Sequence, residues 1–247
     1  MSQSIHRAAH VLEHVSVRPR TQSEIAELLG VHRSTALRIL QALTESGLTR
    51  RNADGSYSIG YRLAGLAAVA AEQFDLRAVA RPVLTQLGQA CGHTIHLAAL
   101  EGSEVVYADK IEQPGTVRMY SQVGQRVRLH TSGVGKAILA YQDQEQVERM
   151  LADYEFDTFT ETTLASREQL DAELVAIRER GWAQDDGEFE DYVNCVAMPI
   201  RDALGNVNGA VSITAIKAQA DLTALQELLP RLEDVTRSIS RSVGWRP

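Results

Sequence analysis

The chain has 247 residues, 44% of them hydrophobic and 23% charged, a balance that suits a soluble globular protein with one large domain or two smaller ones. No apolar run approaches the roughly 18–20 residues that span a bilayer, and the polar opening MSQSIHRAAHVLEHV excludes a secretory signal. Two isolated cysteines, Cys91 and Cys195, exclude a disulfide scaffold and a CxxC motif, so a reducing cytoplasm is the expected location and no metal or cofactor is expected. The net charge of −7 is unevenly spread: residues 1–62 carry eight arginines against five acids, and the remainder carries 17 basic and 27 acidic side chains. A small basic head on an acidic body points to a polyanion as the partner of the head.

Ile5, Ala8, Ala9, Val11, Leu12 and Val15 recur at helical spacing until Pro19 ends the run. Thr21 and Glu24 are placed as a capping box for a second helix that Gly30 stops, and a third helix is expected from about His32 to Ser46. Two helices joined across Gly30-Val31-His32 make a helix-turn-helix. Leu48–Arg51 and Ser56–Gly60, on either side of the turn Asn52-Ala53-Asp54-Gly55, read as a two-stranded wing. From Tyr61 to about Gln73 the Ala- and Leu-rich sequence predicts a helical connector. A further helix, capped by Asp75, reaches Ala90 with a break or kink at Pro82.

Beyond it, His93–Leu100, Val105–Ile111, Val117–Ser121, Tyr192–Ile200 and Val207–Ile216 read as strands. Ser132–Tyr141 and Glu145–Leu151 read as helices, and Ser166-Arg167-Glu168-Gln169 as a capping box for a helix that ends at Gly181. Leu222–Val243 is expected to close the chain as one amphipathic helix despite Pro230. Strands paired through short turns predict an α+β fold with an antiparallel sheet.

On the third helix, Ala36, Ile39, Leu40 and Leu43 form the expected buried side, and Ser34, Arg38, Gln41 and Glu45 share the opposite face. Arg33, Ser34 and Thr35 occupy the first turn, where recognition helices reach base edges. Arginine binds guanine bidentately, hydroxyls take bases or phosphates, and Arg50 and Arg51 of the wing suit phosphate. Each residue alone fits an ordinary solvated helix. Their order along helix, turn, helix and wing, on the exposed side only, favours double-stranded DNA.

The run TQSEIAELLGVHRSTALRILQALTESGLTRRNADGSYSIGYRLAGLA resembles the winged helix of the IclR family of bacterial transcription regulators. The similarity continues through VRMYSQVGQRVRLHTSGVGKAILA and RGWAQDDGEFEDYVNCVAMPIRDALGNVNGAVSIT, so it covers nearly the whole chain. It implies a winged helix-turn-helix over 1–60, with Thr21 and Ser23 joining the residues above as DNA contacts. A linker helix over 61–74 and a GAF-like effector-binding domain over 75–247 would follow. It also implies a homodimer or dimer of dimers on an inverted-repeat operator.

Three constellations compete in the body. Ser132-Gly133-Val134-Gly135-Lys136-Ala137 looks like a phosphate loop, but the upstream glycine spacing is wrong and Ala137 stands where a hydroxyl is required. It reads instead as a glycine-rich helix start, and in the family the amides matching Gly133 and Val134 contact effector. Asp185, Cys195, Ser212 and Thr214 form the second set. Taken alone, Cys195 fits a buried thiol and Asp185 an exposed acidic turn, whereas Ser212 and Thr214 share one strand face and suit a small oxygenated ligand. By resemblance these four match the family's effector site, with Met119, Val127 and Val193 as apolar walls, and Tyr192 stands where the family usually has Gly. The third set, His93, His96 and His130 with Asp185 and Cys195, spaces its histidines poorly for chelation. A Cys–His hydrolase would need a histidine beside Cys195.

These features predict a ligand-responsive transcription factor that is not an enzyme. Its head grips DNA and its body holds a small organic acid that binds the DNA-competent and incompetent states unequally. Arg118-Met119-Tyr120-Ser121 with Gly124 and Arg126 resembles members that sense sugar acids, and aromatic acids fit equally. The alternatives are a small-molecule hydrolase with a fused DNA-binding head and a constitutive DNA-binding dimer. The small-residue run from Leu63 to Ala71 is the expected dimer contact.

Overall fold

The computed structural model describes residues 3–73, 75–113 and 119–246, and the chain divides into two compact units on either side of residue 75. The first contains α1 (Gln3–Val17), α2 (Gln22–Leu28), α3 (Arg33–Glu45), β1 (Thr49–Arg51), β2 (Tyr57–Ile59) and α4 (Arg62–Gln73). Val11, Val15, Ile25, Ala26, Ala36, Leu40, Leu43 and Tyr57 bury together as its core, whereas Ile39 is only half-buried against them. The Thr21–Glu24 capping box forms in both directions. The Thr21 amide, then Arg18, hold the Glu24 carboxyl down at about 2. The chain entering the wing and the chain leaving it lie in close contact: a Cβ on Gly60 would meet the Gly47 carbonyl oxygen at 2.1 Å, so only glycine fits there.

The second unit contains α5 (Leu76–Cys91), β3 (Thr94–Glu101), β4 (Glu104–Ile111), α6 (Gly133–Leu139), α7 (Gln144–Met150), α8 (Arg167–Arg180) and β5 (Ala183–Asp186). It ends with β6 (Val193–Arg201), β7 (Val207–Ile216), α9 (Leu222–Gln226) and α10 (Leu229–Ser242). The five strands form one antiparallel sheet in the order β4-β3-β7-β6-β5. One face buries Ile95, Leu97, Val196, Val211 and Ile213 with Leu84 of α5, Leu225 of α9 and Leu232 and Ile239 of α10. The other buries Ala98, Ala197 and Ala210 with Val134, Ile138 and Leu139 of α6 and Leu170 and Leu174 of α8. Small strand residues on that side let α6 lie close to the sheet: a Cβ on Gly133 would meet the Cys195 sulfur at 2.6 Å.

Several sequence expectations need correction. The helix from Leu76 runs unbroken through Pro82, because burying Ala80, Leu84 and Leu87 outweighs the single backbone bond that the ring removes. The expected C-terminal helix is two: Pro230 stands in the first turn of α10, where its missing N–H costs nothing, and α9 is a separate short helix. Residues 119–121 of the expected strand Val117–Ser121 are not in a strand, and 117–118 lie outside the described residues. At α8 the Ser166 side chain caps Gln169, but the Gln169 side chain returns to the Ala165 amide, not to that of Ser166. Asp185, expected in an exposed turn if not at a site, is buried on β5.

Candidate functional site

In the first unit, α3 presents Arg33, Ser34, Arg38 and Gln41 to solvent, with Thr35 half-buried in the first turn. His32 caps this helix, its ring nitrogen accepting from the Ser34 amide, and the same nitrogen lies 2.9 Å from the Ser34 hydroxyl. Ser23 is exposed at the start of α2. The hydroxyl of Thr21 is engaged by the Glu24 amide and carboxylate, so capping is the role that this structure gives it. Arg50 and Arg51 are exposed on β1, and the Arg50 guanidinium lies 5.9 Å from the centre of the Tyr61 ring. An exposed recognition helix beside a cationic wing can meet base edges and phosphates together.

In the second unit, strand register assembles a polar face. Thr94 pairs with Thr214 and His96 with Ser212 across β3 and β7, Cys195 of β6 pairs with Thr214, and Asp185 of β5 pairs with Cys195. Directly paired residues share a face, so four strands bring His96, Ser212, Thr214, Cys195 and Asp185 to one side of the sheet. They line a small, partly open cavity of about 70 Å³, together with Tyr107, Met119, Ser121, Arg128, Thr131, Gly133, Val134 and Val193.

His96 is the hub of this face. One ring nitrogen lies 3.1 Å from the Thr214 hydroxyl and 3.4 Å from that of Ser212, and the other 2.7 Å from the Ser121 hydroxyl. Burial, then the Lys110 charge, push the imidazole down to about 3, so the ring is neutral near pH 7. Asp185 accepts the Glu188 amide at 2.8 Å. Burial first, then the Glu188 carboxyl, raise it to about 7, although Lys136 pulls the other way. Lys136 is itself fully buried and meets both Glu188 carboxylate oxygens at 2.5 Å. The lysine of the apparent phosphate loop is therefore neutralised inside the protein. Burial also pushes the Cys195 thiol well above its usual range, and the Gly133 amide faces its sulfur.

Of the nine residues expected at the effector site, Met119, Gly133, Val134, Asp185, Val193, Cys195, Ser212 and Thr214 line this cavity. Val127 does not: it packs in the core beside Val105 and Leu129 and borders a separate surface groove. Tyr192 does not enter the cavity either, being 47% exposed with its hydroxyl donating to Glu190. Sequence reasoning grouped His96 with Asp185 and Cys195 only as a metal or hydrolase set, and named Ser121 and Arg126 only in the run that resembles sugar-acid sensors; it missed Tyr107, Arg128 and Thr131 altogether. A polar residue alternating with apolar ones on a strand was the only available signal for His96. Its nitrogens serve Thr214, Ser212 and Ser121, not Cys195. Among the described residues no cluster of His, Cys, Asp or Glu could hold a metal, and no helix is long and apolar enough to cross a membrane.

A winged helix with a basic recognition face, joined to an α+β unit, defines a DNA-binding transcriptional regulator. The family model for the bacterial transcriptional regulator IclR C-terminal region matches residues 68–241, and a model for the HVO_A0261 N-terminal domain matches residues 1–80. The regulator XynR of Escherichia coli K12 is 32% identical over 246 residues, covering 98% of each chain. The regulator KdgR of the same organism is 32% identical over 224 residues, covering 90% of this chain and 85% of its own. Among solved structures, Thermotoga maritima IclR superimposes with a TM-score of 0.66 at 30% identity, covering 99% of this chain and all of its own. The Agobacterium tumefaciens repressor BlcR reaches 0.76 at 27% identity, over 100% of this chain and 99% of its own. The chain belongs to the IclR family of bacterial transcriptional regulators.

Proposed function

We propose that this regulator is ligand-responsive, reading an inverted-repeat operator through α3 and the wing and binding a small organic effector in the cavity of the second unit. One observation carries the proposal: the register of β5, β6, β7 and β3 gathers an acid, a thiol, two hydroxyls and a neutral imidazole around one small cavity. Polar groups that converge in a buried cavity orient a small oxygenated ligand. Ser212, Thr214 and Asp185 are assigned to its polar groups, Met119 and Val193 to its body, and the Gly133 and Val134 amides to its edge. Effector binding is coupled to the head through residues 61–81, which include α4 and the start of α5. A buried histidine at about 3 is a poor general base at neutral pH, which favours binding over turnover.

A thermal-shift screen of small carboxylic acids tests the proposal, because a specific ligand stabilises the fold by mass action. A hit is expected to change operator affinity, and Ser212→Ala and Asp185→Ala are expected to weaken it in calorimetry. Should both variants fold and bind the hit as the wild type does, the ligand sits elsewhere. A hit that binds in the cavity and leaves operator affinity unchanged would favour a constitutive DNA-binding protein.

A further inference from the structure

Among the described residues Arg128 has no carboxylate partner. Its guanidinium carbon lies 4.1 Å from the centre of the Phe189 ring, 4.9 Å from Tyr120 and 5.2 Å from Phe159. Arg126, its neighbour on the same wall, pairs with Glu104, and Lys136 and Lys110 pair with Glu188 and Glu112. Arg128 forms no ion pair and no side-chain hydrogen bond with any described residue, yet it lines the cavity and is half-buried. Three rings surround the guanidinium by cation–π contact and use none of its N–H donors in a hydrogen bond to an anion. The same cavity contains a second unused donor: the Thr131 hydroxyl is buried and has no hydrogen-bond partner among the described residues. A buried hydroxyl left unpaired costs free energy, which a ligand acceptor would relieve.

We infer that Arg128, held by Tyr120, Phe159 and Phe189, is the specificity-determining residue that selects an anionic end on the effector, with the Thr131 hydroxyl as its second donor. The inference rests on the cavity being the effector site, and it names the ligand class more closely. The carboxylate of a monoacid sits at the Arg128 end, and its hydroxyl or carbonyl group faces Asp185, Ser212 and Thr214. Glu190, also on the cavity wall, accepts from Tyr192 and would repel a second carboxylate, so a dicarboxylate is disfavoured. Arg128 thereby supplies the formal positive charge that backbone amides and hydroxyls lack.

The test uses the full-length protein with glycolate, benzoate and gluconate, each compared with its uncharged primary amide by calorimetry. The wild type is expected to bind at least one acid roughly tenfold or more tightly than the matching amide, as a charge-assisted bidentate pair requires. Arg128→Gln is expected to bring that acid down to the affinity of the amide and leave the amide almost unchanged. Arg128→Lys is expected to restore part of the preference, and Thr131→Val to weaken the acid several-fold. If Arg128→Gln folds and keeps the acid-to-amide ratio, the anchor is wrong while the effector cavity stands. If Arg128→Gln does not fold, Arg128→Lys decides, and an equal loss of acid and amide then overturns the assignment. If none of the six compounds binds the wild type, the anchor falls together with the effector cavity.

Discussion

At Asp185 the folded protein holds a proton that the unfolded chain releases. Its carboxyl titrates at about 7 when buried beside Glu188 and at 3.8 when exposed, so the proton is bound more tightly in the native state. The resulting stabilisation is complete below pH 4 and is lost as pH rises through about 7. Asp185→Asn, fixed in a neutral form, is expected to match the wild type near pH 4. It should exceed the wild type by up to about 4 kcal/mol at pH 8. Urea midpoints at the two pH values check this, and a difference that does not grow with pH would show the carboxyl to be ionised throughout. The Lys136–Glu188 pair behaves differently, because removing one partner strands a buried charge. Lys136→Met is expected to cost about 3–5 kcal/mol, and Lys136→Met with Glu188→Leu to recover most of it. Equal destabilisation in the single and double variants would refute that account.

On the proposed reading, α3 reads bases and the wing grips the backbone. Arg38 projects from the exposed face of α3, and Arg51 from the wing strand. With an operator selected from random sequence, Arg38→Ala is expected to lose about 1–3 kcal/mol on that operator and little on unrelated DNA. Arg51→Ala is expected to weaken both equally and to lower the salt slope by about one ion. Filter binding across a salt series distinguishes them, and unchanged operator affinity in both variants would remove α3 and the wing from the interface. Thr21→Ala tests the cap assigned to that side chain. It is expected to destabilise the first unit by about 1 kcal/mol, seen as a lower midpoint of its unfolding.

For the whole molecule, a single short recognition helix reads too few bases for tight, specific binding, so a symmetric operator demands a symmetric protein. On α4, Leu66 and Val69 are each 51% exposed at a spacing of three residues, which places them on neighbouring positions of one helix surface. We propose that they contribute to a dimer contact. Sedimentation is expected to show a dimer at micromolar concentration, and Leu66→Glu with Val69→Glu to shift it toward monomer with a steep loss of operator affinity. A wild type that stays monomeric with and without DNA would eliminate this contact.

Local rules carried much of the fold. The Thr21 and Asp75 caps, the Asp54-Gly55 turn and the period of two in Val207–Ile216 each act within a few residues, so a single sequence displays them. Register across strands is not local. His96 meets Thr214 across 118 positions of sequence, and nothing near either residue announces the other. The spacing around Lys136 ruled out a phosphate loop but did not reveal Glu188 as its partner, and Asp185, which on its own residues fits a solvated turn, is buried because β5 joins the sheet edge beside β6. Pro82 and Pro230 show the same division. Proline's local preference is fixed, but packing decided that one helix continues through it and that another begins at it. By itself the sequence determined the class of regulator, the head and the polar pair Ser212 and Thr214. Tertiary structure alone decided which charges are neutralised in the interior and that Arg128 lines the cavity with no ion pair among the described residues, because desolvation and pairing depend on neighbours that only folding brings together.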